Sequence, residues 1–302
     1  MQQSFENILL PIDLNANTEL AVKKTTELVN AASTTIHLIH IIRADVINNA
    51  EYDEIPISSS HNRNPKYSDI IGKMKAWGGI IRRLMPNSEV KLHLVKGSSI
   101  ENILIHKANE TNSQLIIIAK HTGSKWIRLT NPVSPADIAR QTHGAVLIVK
   151  PGAFYTKIKS IVLPVRSFIP FHKVDVLFPL VYHKGITIYL VSVLNKGADD
   201  LDHSSTSHAL IETHRILKEE ANCRIKHKLI TRNNLGRTLL DFAASVEADL
   251  LIVNPDEAQV WSLTGLRDVS DLLKSRSSLQ IMEVDRYQTE TQRIKIYESG
   301  IF

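Results

Sequence analysis

Lys120, His121, Ser124, Lys125 and Arg128 crowd the stretch that follows the apolar run LIIIA at 115 to 119. Cations gathered at the end of a strand-like run can hold a phosphate or an acidic metabolite through side-chain charge. The same residues also read as a solvated basic loop, because nothing in the stretch requires an anion. Asp13 stands just past a second apolar run, ILLP at 8 to 11. It reads as a polar turn residue leading into a helix capped by Asn15 or Asn17. KGSS at 96 to 99 reads as a strand end followed by a helix N-cap.

Other chemistries lack their residues. None of the 13 histidines falls into H-E-x-x-H or a Cys/His ligand spacing, so no metal is expected. His37 and His40 would point to opposite faces of one strand and cannot share an ion. His203, His208 and His214 read as surface residues of one helix. No G-x-S-x-G, Walker A or G-x-G-x-x-G string occurs, which removes the signatures of a hydrolase and of the common nucleotide-binding loops. The single Cys223 has no intramolecular disulfide partner and no base nearby in sequence, so it reads as an inert thiol. The chain is not expected to be an enzyme, with a hydrolase of unknown substrate as the alternative.

Composition agrees with a globular protein: 43% hydrophobic, 22% charged, with 12 Gly and 11 Pro in 302 residues. A net charge of +5 arises from charges of both signs interleaved along the chain, which does not indicate a nucleic-acid binder. The apolar runs fall far short of the roughly 18 residues of a membrane span. The N-terminus lacks a basic leader, and a cytoplasmic location is expected.

The elements that must position these residues are set by an internal repeat. NILLPID at 7 to 13 matches SIVLPVR at 160 to 166, and TIHLIHII at 35 to 42 matches TIYLVSVL at 187 to 194, at offsets of 153 and 152. Further on, VKLHLV at 90 to 95 matches IKHKLI at 225 to 230, and QLIIIAK at 114 to 120 matches DLLIVNP at 249 to 255, both offset by 135. The excess in the first copy lies in the polar stretch from Ala44 to Lys66, which reads as a surface loop. Between the runs lie stripes of helical period: Ile70, Met74, Trp77, Ile81 and Leu84; Ile100, Ile103, Leu104, Lys107 and Ala108; and Leu235, Thr238, Leu239, Phe242, Ala243 and Val246. Near-continuous Ile/Leu/Val strands alternating with amphipathic helices predict α/β architecture, two tandem doubly wound parallel-sheet domains over 1–152 and 153–302. Pro179 predicts a kinked or short helix in the second copy.

ILLPID, then a helix, then IHLIHI, and later QLIIIAKHTGSKW before AVLIVK, resemble the universal stress protein family over nearly the whole chain, as two tandem copies. The resemblance implies a Rossmann-like fold and a stress-response role. In nucleotide-binding members the fourth strand is followed by G-x-x-G-x(9)-G-S/T, whose backbone N–H groups meet the ATP phosphates. Here the three glycine positions hold Ala119, Thr122 and Pro132, with Val133 at the hydroxyl position. The second copy holds Asn254, Glu257, Arg267 and Asp268, so two carboxylates would face a phosphate.

Asp13 matches the family's nucleoside-contacting aspartate, and Ile41 matches an apolar residue beside the adenine. Arg166 and Val193 replace them in the second copy. The resemblance thus implies a degenerate, non-ATP-binding member without a cofactor, which binds a protein partner or small ligand. The alternative is an ATP- or AMP-binding first domain using Asp13, Ile41, Lys120, Lys125 and Arg128. The family also implies pairing of AVLIVK at 145 to 150 with LQIMEV at 279 to 284 in an intramolecular pseudo-dimer, with a further homodimer as an added option. Trp126 and Trp261 occupy matching positions and read as loop anchors, and the tail from Arg286 reads as an added edge strand or a partner contact.

Overall fold

A computed structural model describes residues 4–29, 34–43, 52–57, 65–120, 133–142, 144–181, 185–194, 197, 199–221, 223–232, 234–262 and 265–285. The first half runs β1 (Asn7–Pro11), α1 (Ala16–Leu28), β2 (Thr35–Arg43), β3 (Asp53–Ile55), α2 (Pro65–Leu84), β4 (Glu89–Gly97), α3 (Ile100–Glu110), β5 (Leu115–Ala119), α4 (Pro135–Gln141) and β6 (Ala145–Val149). The second runs β7 (Ser160–Pro164), α5 (Phe171–Val181), β8 (Thr187–Leu194), α6 (Asp200–Glu220), β9 (Arg224–Thr231), α7 (Leu235–Ser245), β10 (Leu250–Val253), β11 (Gln259–Ser262), β12 (Gly265–Asp268), α8 (Val269–Leu272) and β13 (Gln280–Glu283).

Eleven strands form one sheet in the order β3-β4-β2-β1-β5-β6-β13-β10-β7-β8-β9, and β11 and β12 form a separate antiparallel hairpin. Within each half the repeated strands are parallel, and the order reverses between β1 and β5 and again between β7 and β10. These reversals open the two crevices where a doubly wound sheet places ligands. The halves join through β6 and β13, which pair antiparallel with Ile281 opposite Ile148, Met282 opposite Leu147 and Glu283 opposite Val146. Closing the two apolar edges on each other removes a template for aggregation.

Alternation along the strands sorts the core into layers. Ile8 and Leu10 of β1 face one side, where a continuous cluster takes in Leu20 of α1, Met74 of α2, Leu177 of α5 and Leu217 of α6. Leu9 faces the other side with Ile103 of α3 and Ile138 of α4. The second half has its own cluster there, with Leu239 of α7 and Val269 of α8. Each fully buried Leu or Ile stabilises by about 1.5–3 kcal/mol, so this layered burial dominates the fold.

The stripe of α3 is buried at all five expected positions. On α2 the expected Leu84 is 58% exposed, and Met85, four residues after the buried Ile81, takes its place against the sheet. The helix crosses the sheet so that the i+4 step, not i+3, continues the stripe. α5 runs on through Pro179 to Val181. Pro179 lies in the last turn, where its missing N–H costs a single helical bond, and burial of Leu177, Phe178 and Leu180 offsets it. The polar stretch after β2 contains β3, a strand where a loop was expected.

Beyond β6 the chain docks at once on the second half. Gly152 N–H donates to the Ser275 carbonyl at 2.9 Å, and a Cβ at Gly152 would lie 2.2 Å from the Arg276 backbone. No helix among the described residues is long and apolar enough to cross a membrane.

Candidate functional site: two strand-end crevices and a polar network

At the first crevice, the turn after β1 is organised by Asp13. Its Oδ1 accepts from the Asn15 N–H and the Thr18 hydroxyl, each at 3.1 Å, and its Oδ2 from Asn17 Nδ2 at 2.6 Å. Asn15 then caps α1 by accepting from the Asn17 N–H. The preceding Leu14 is left-handed at φ 61°, and the Asp13 contacts hold that turn in place. Ile41 packs in the core beside β4, opposite Val95, and is 5% exposed. Lys120 follows β5 and reaches over the seam to an ion pair with Asp271 at the end of α8. Lys125, Arg128, His121, Ser124 and Trp126 lie outside the described residues, as do Thr122 and Pro132, and so does the tail from Arg286. Trp261 sits in the hairpin strand β11. Ser99 caps α3 by accepting from the Asn102 N–H at 3.2 Å.

At the second crevice the two strand ends are bridged by the protein itself. Lys173 projects from the first turn of α5 and is 1% exposed. Its ammonium donates to the Pro164 carbonyl at the end of β7 (3.0 Å) and to Glu257 Oε2 at 2.6 Å. The same Glu257 oxygen accepts from the Asn254 N–H at 2.9 Å, at the end of β10. Glu257 therefore sits on a backbone N–H and a lysine ammonium, the two kinds of donor that would receive a phosphate oxygen. The carboxylate carries its own negative charge into the crevice and matches the Lys173 ammonium there.

The seam concentrates further charge. Lys150 is buried, and burial first, then neighbouring Lys120, lowers its pKa against the pull of Asp271 and Asp268. Arg140 of α4 reaches Asp256 across the halves at 3.3 Å. Glu283 is fully buried, and neither of its carboxyl oxygens accepts a hydrogen bond from a described donor.

A third group of residues was not visible in the sequence. On the face of β2 and β4 under α3, His37 Nδ1 lies 3.1 Å from His93 Nε2, and the rings stack with centroids 5.3 Å apart. His37 Nε2 lies 3.3 Å from Asn7 Oδ1. His93 Nδ1 lies 2.9 Å from Glu54 Oε1, and Lys107 Nζ donates to Glu54 Oε2 at 2.8 Å. Burial opposes the Lys107 charge, but bonds to Glu54, Tyr52 and Glu110 more than offset it and raise its pKa. Glu54 comes from β3, inside the stretch read as a loop, so no periodicity could have connected it with His93.

Burial, followed by repulsion from His93, lowers the His37 pKa to about 4. The folded state therefore favours the neutral ring. Stability from this group is present above the ordinary value near 6.5 and is lost as the pH falls toward 4, by up to about 3 kcal/mol. Urea unfolding of His37→Asn is expected to differ from the unaltered protein by the loss of this rise in stability between pH 4 and 6.5. A pH profile identical to that of the unaltered protein would mean that His37 makes no such contribution.

Among the described residues no group of three or more His, Cys, Asp or Glu could hold a metal ion. Burial pushes the Cys223 thiol up to about 11, which leaves it a poor nucleophile at neutral pH.

Scans against protein-family models and curated proteins find no match. Among solved structures, a universal stress protein from Archaeoglobus fulgidus is 15% identical, covers 95% of this chain and 98% of its own, and superposes with a TM-score of 0.62. The chain has the fold of the universal stress proteins. A functionally unknown protein from Pseudomonas aeruginosa is 12% identical, covers 99% of both chains and superposes with a TM-score of 0.50. The cytoplasmic domain of a prokaryotic cation chloride cotransporter, 11% identical, covers 94% of this chain and 96% of its own at a TM-score of 0.51. Chains of similar fold thus include a domain of a transporter, so function has to be argued from the site.

Proposed function

We propose that the protein is a stress-response protein of the universal stress protein type that binds a protein partner or small ligand and does not use ATP or catalyse turnover. The observation that supports this most is the Lys173–Glu257 pair, which occupies the second crevice where a phosphate would have to enter. A nucleotide there would have to displace a buried carboxylate from a buried ammonium, at a cost of several kcal/mol in desolvated charge. In the first crevice, Asp13 already accepts three hydrogen bonds and Lys120 already has a carboxylate partner.

The test is thermal unfolding with and without millimolar ATP, ADP and AMP, on protein first checked for co-purified nucleotide. Selective binding at about 100 times the dissociation constant would stabilise by about 2.7 kcal/mol and move the transition by several degrees. No shift is expected. A nucleotide-specific shift abolished by Asp13→Ala would make the first half a nucleotide sensor and overturn the proposal.

A further inference from the structure

The two outer edges of the sheet are finished differently. In the first half, the outer edge of β4 is covered by β3, added antiparallel with Asp53 opposite Lys96, Glu54 opposite Val95 and Ile55 opposite Leu94. β3 lies in the stretch that the second repeat lacks. β9, the counterpart of β4, therefore ends the sheet, and no strand among the described residues pairs with its outer edge. The difference shows in burial: Leu94 is fully buried, whereas Leu229, its match at an offset of 135, is 45% exposed.

Beside Leu229 lies a groove of about 530 Å³, walled by Leu210, Ile211, His214, Lys218 and His227. Ile211 is 65% exposed at its rim. The strand itself is basic, with Arg224, Lys226 and Lys228 all exposed, and none of the three forms an ion pair with another described residue. Lys226 rests only over the Tyr189 ring, 5.3 Å from its centroid.

Lysines on an edge strand deter indiscriminate pairing. They also select. A second copy of β9 laid antiparallel would set like charges opposite one another. An acidic strand would turn the same charges into attraction. The chain shows this mode of pairing on its own first half, where the short acidic strand β3 lies along a strand carrying Lys91, His93 and Lys96, and Glu54 pairs with His93 and Lys107.

We propose that the open edge of β9 and its apolar groove dock an extended acidic segment of a protein partner, with an aliphatic residue opposite Leu229 and a carboxylate opposite Ile230, diagonal to Lys228. The segment would add antiparallel, as β3 adds to β4. This deepens the partner-binding reading by giving the partner's chemistry, and the two fail separately. Nucleotide in a crevice would overturn the former and leave this edge untouched, and an inert edge would do the reverse.

The probe is a fluorescein-labelled peptide with the sequence of residues 52–57, YDEIPI, titrated with the full chain and followed by anisotropy. Saturable binding is expected, weakened about tenfold by Lys226→Glu with Lys228→Glu, since the diagonal contact with Lys228 becomes repulsive and the positive charge of the strand is reversed. A peptide carrying Asp53→Lys and Glu54→Lys should not bind the unaltered chain, a control that does not depend on any variant folding. Absence of saturable binding at millimolar peptide would overturn the proposal, as would binding indifferent to charge on either side. A dimer in light scattering that dissociates on Leu229→Lys would instead assign the edge to a second copy. An oligonucleotide that binds where the peptide does not would assign it to nucleic acid.

Discussion

Lys173→Met is expected to lower the unfolding free energy by about 3–5 kcal/mol, the range for removing one partner of a buried ion pair. The loss comes less from the missing attraction than from Glu257, which would stay buried with only the Asn254 N–H to receive its charge. Its other oxygen, Oε1, already lacks a hydrogen-bond partner among the described residues, so the site has no spare donor to take over. Adding Glu257→Leu to Lys173→Met should recover much of the loss, because two apolar groups of similar volume need no counter-charge. Urea unfolding of the four members of this cycle gives the coupling directly. A single-variant loss below about 1 kcal/mol would show that the pair does not hold the crevice closed. The converse variant carries the functional test. Glu257→Ala leaves the Lys173 ammonium beside the Pro164 carbonyl and the Asn254 N–H with the carboxylate's place vacated. Its stability should rise with added phosphate, while the unaltered protein should show no such response.

The architecture was readable because each strand and most helices carry their pattern locally. The matched runs gave the repeat, apolar strands alternating with amphipathic helices gave the parallel order, and the pairing of β6 with β13 came from the family resemblance. Asp13 and Ser99 could be placed at helix starts because N-capping depends on only the next three to five residues. The contacts that define the site are long-range, and there the sequence is silent about partners. Glu257 was visible as a carboxylate in a degenerate phosphate loop, but its match with Lys173 lies 84 residues away, across two strand ends. A signal for Lys173 was present: a lysine in the first turn of FHKVDVLFPLV, a mostly apolar helix, must either reach solvent or meet a carboxylate. Glu54 offered no comparable signal. A three-residue strand is too short for alternation to identify, and only its partner β4 makes it a strand.

Glu283→Gln is expected to stabilise the protein by up to about 3 kcal/mol at pH 7 and to have no effect at pH 4. Burial first, then the Asp268 carboxylate beside it, pushes the Glu283 carboxyl up to about 10, with Lys120 and Arg140 pulling the other way. The folded state thus holds a proton that the unfolded chain gives up near the ordinary glutamate value of 4.5. Stability from this group is complete below that value and is lost as the pH rises toward 10. Glutamine keeps the neutral, polar shape at every pH and removes the unfolded chain's advantage. Because Glu283 lies opposite Val146, the gain falls on the strand pair that joins the two halves. The His37 contribution runs in the opposite direction between about pH 4 and 6.5, so in the unaltered protein the two slopes largely cancel there and a decline shows only above that window. Glu283→Gln should expose the His37 slope, with stability climbing from pH 4 to 6.5 and then levelling. His37→Asn should expose the Glu283 slope as a steady fall from pH 4.5 upward. If Glu283→Gln leaves the profile unchanged, Glu283 is ionised in the folded protein, and an unseen donor must then satisfy it at the seam.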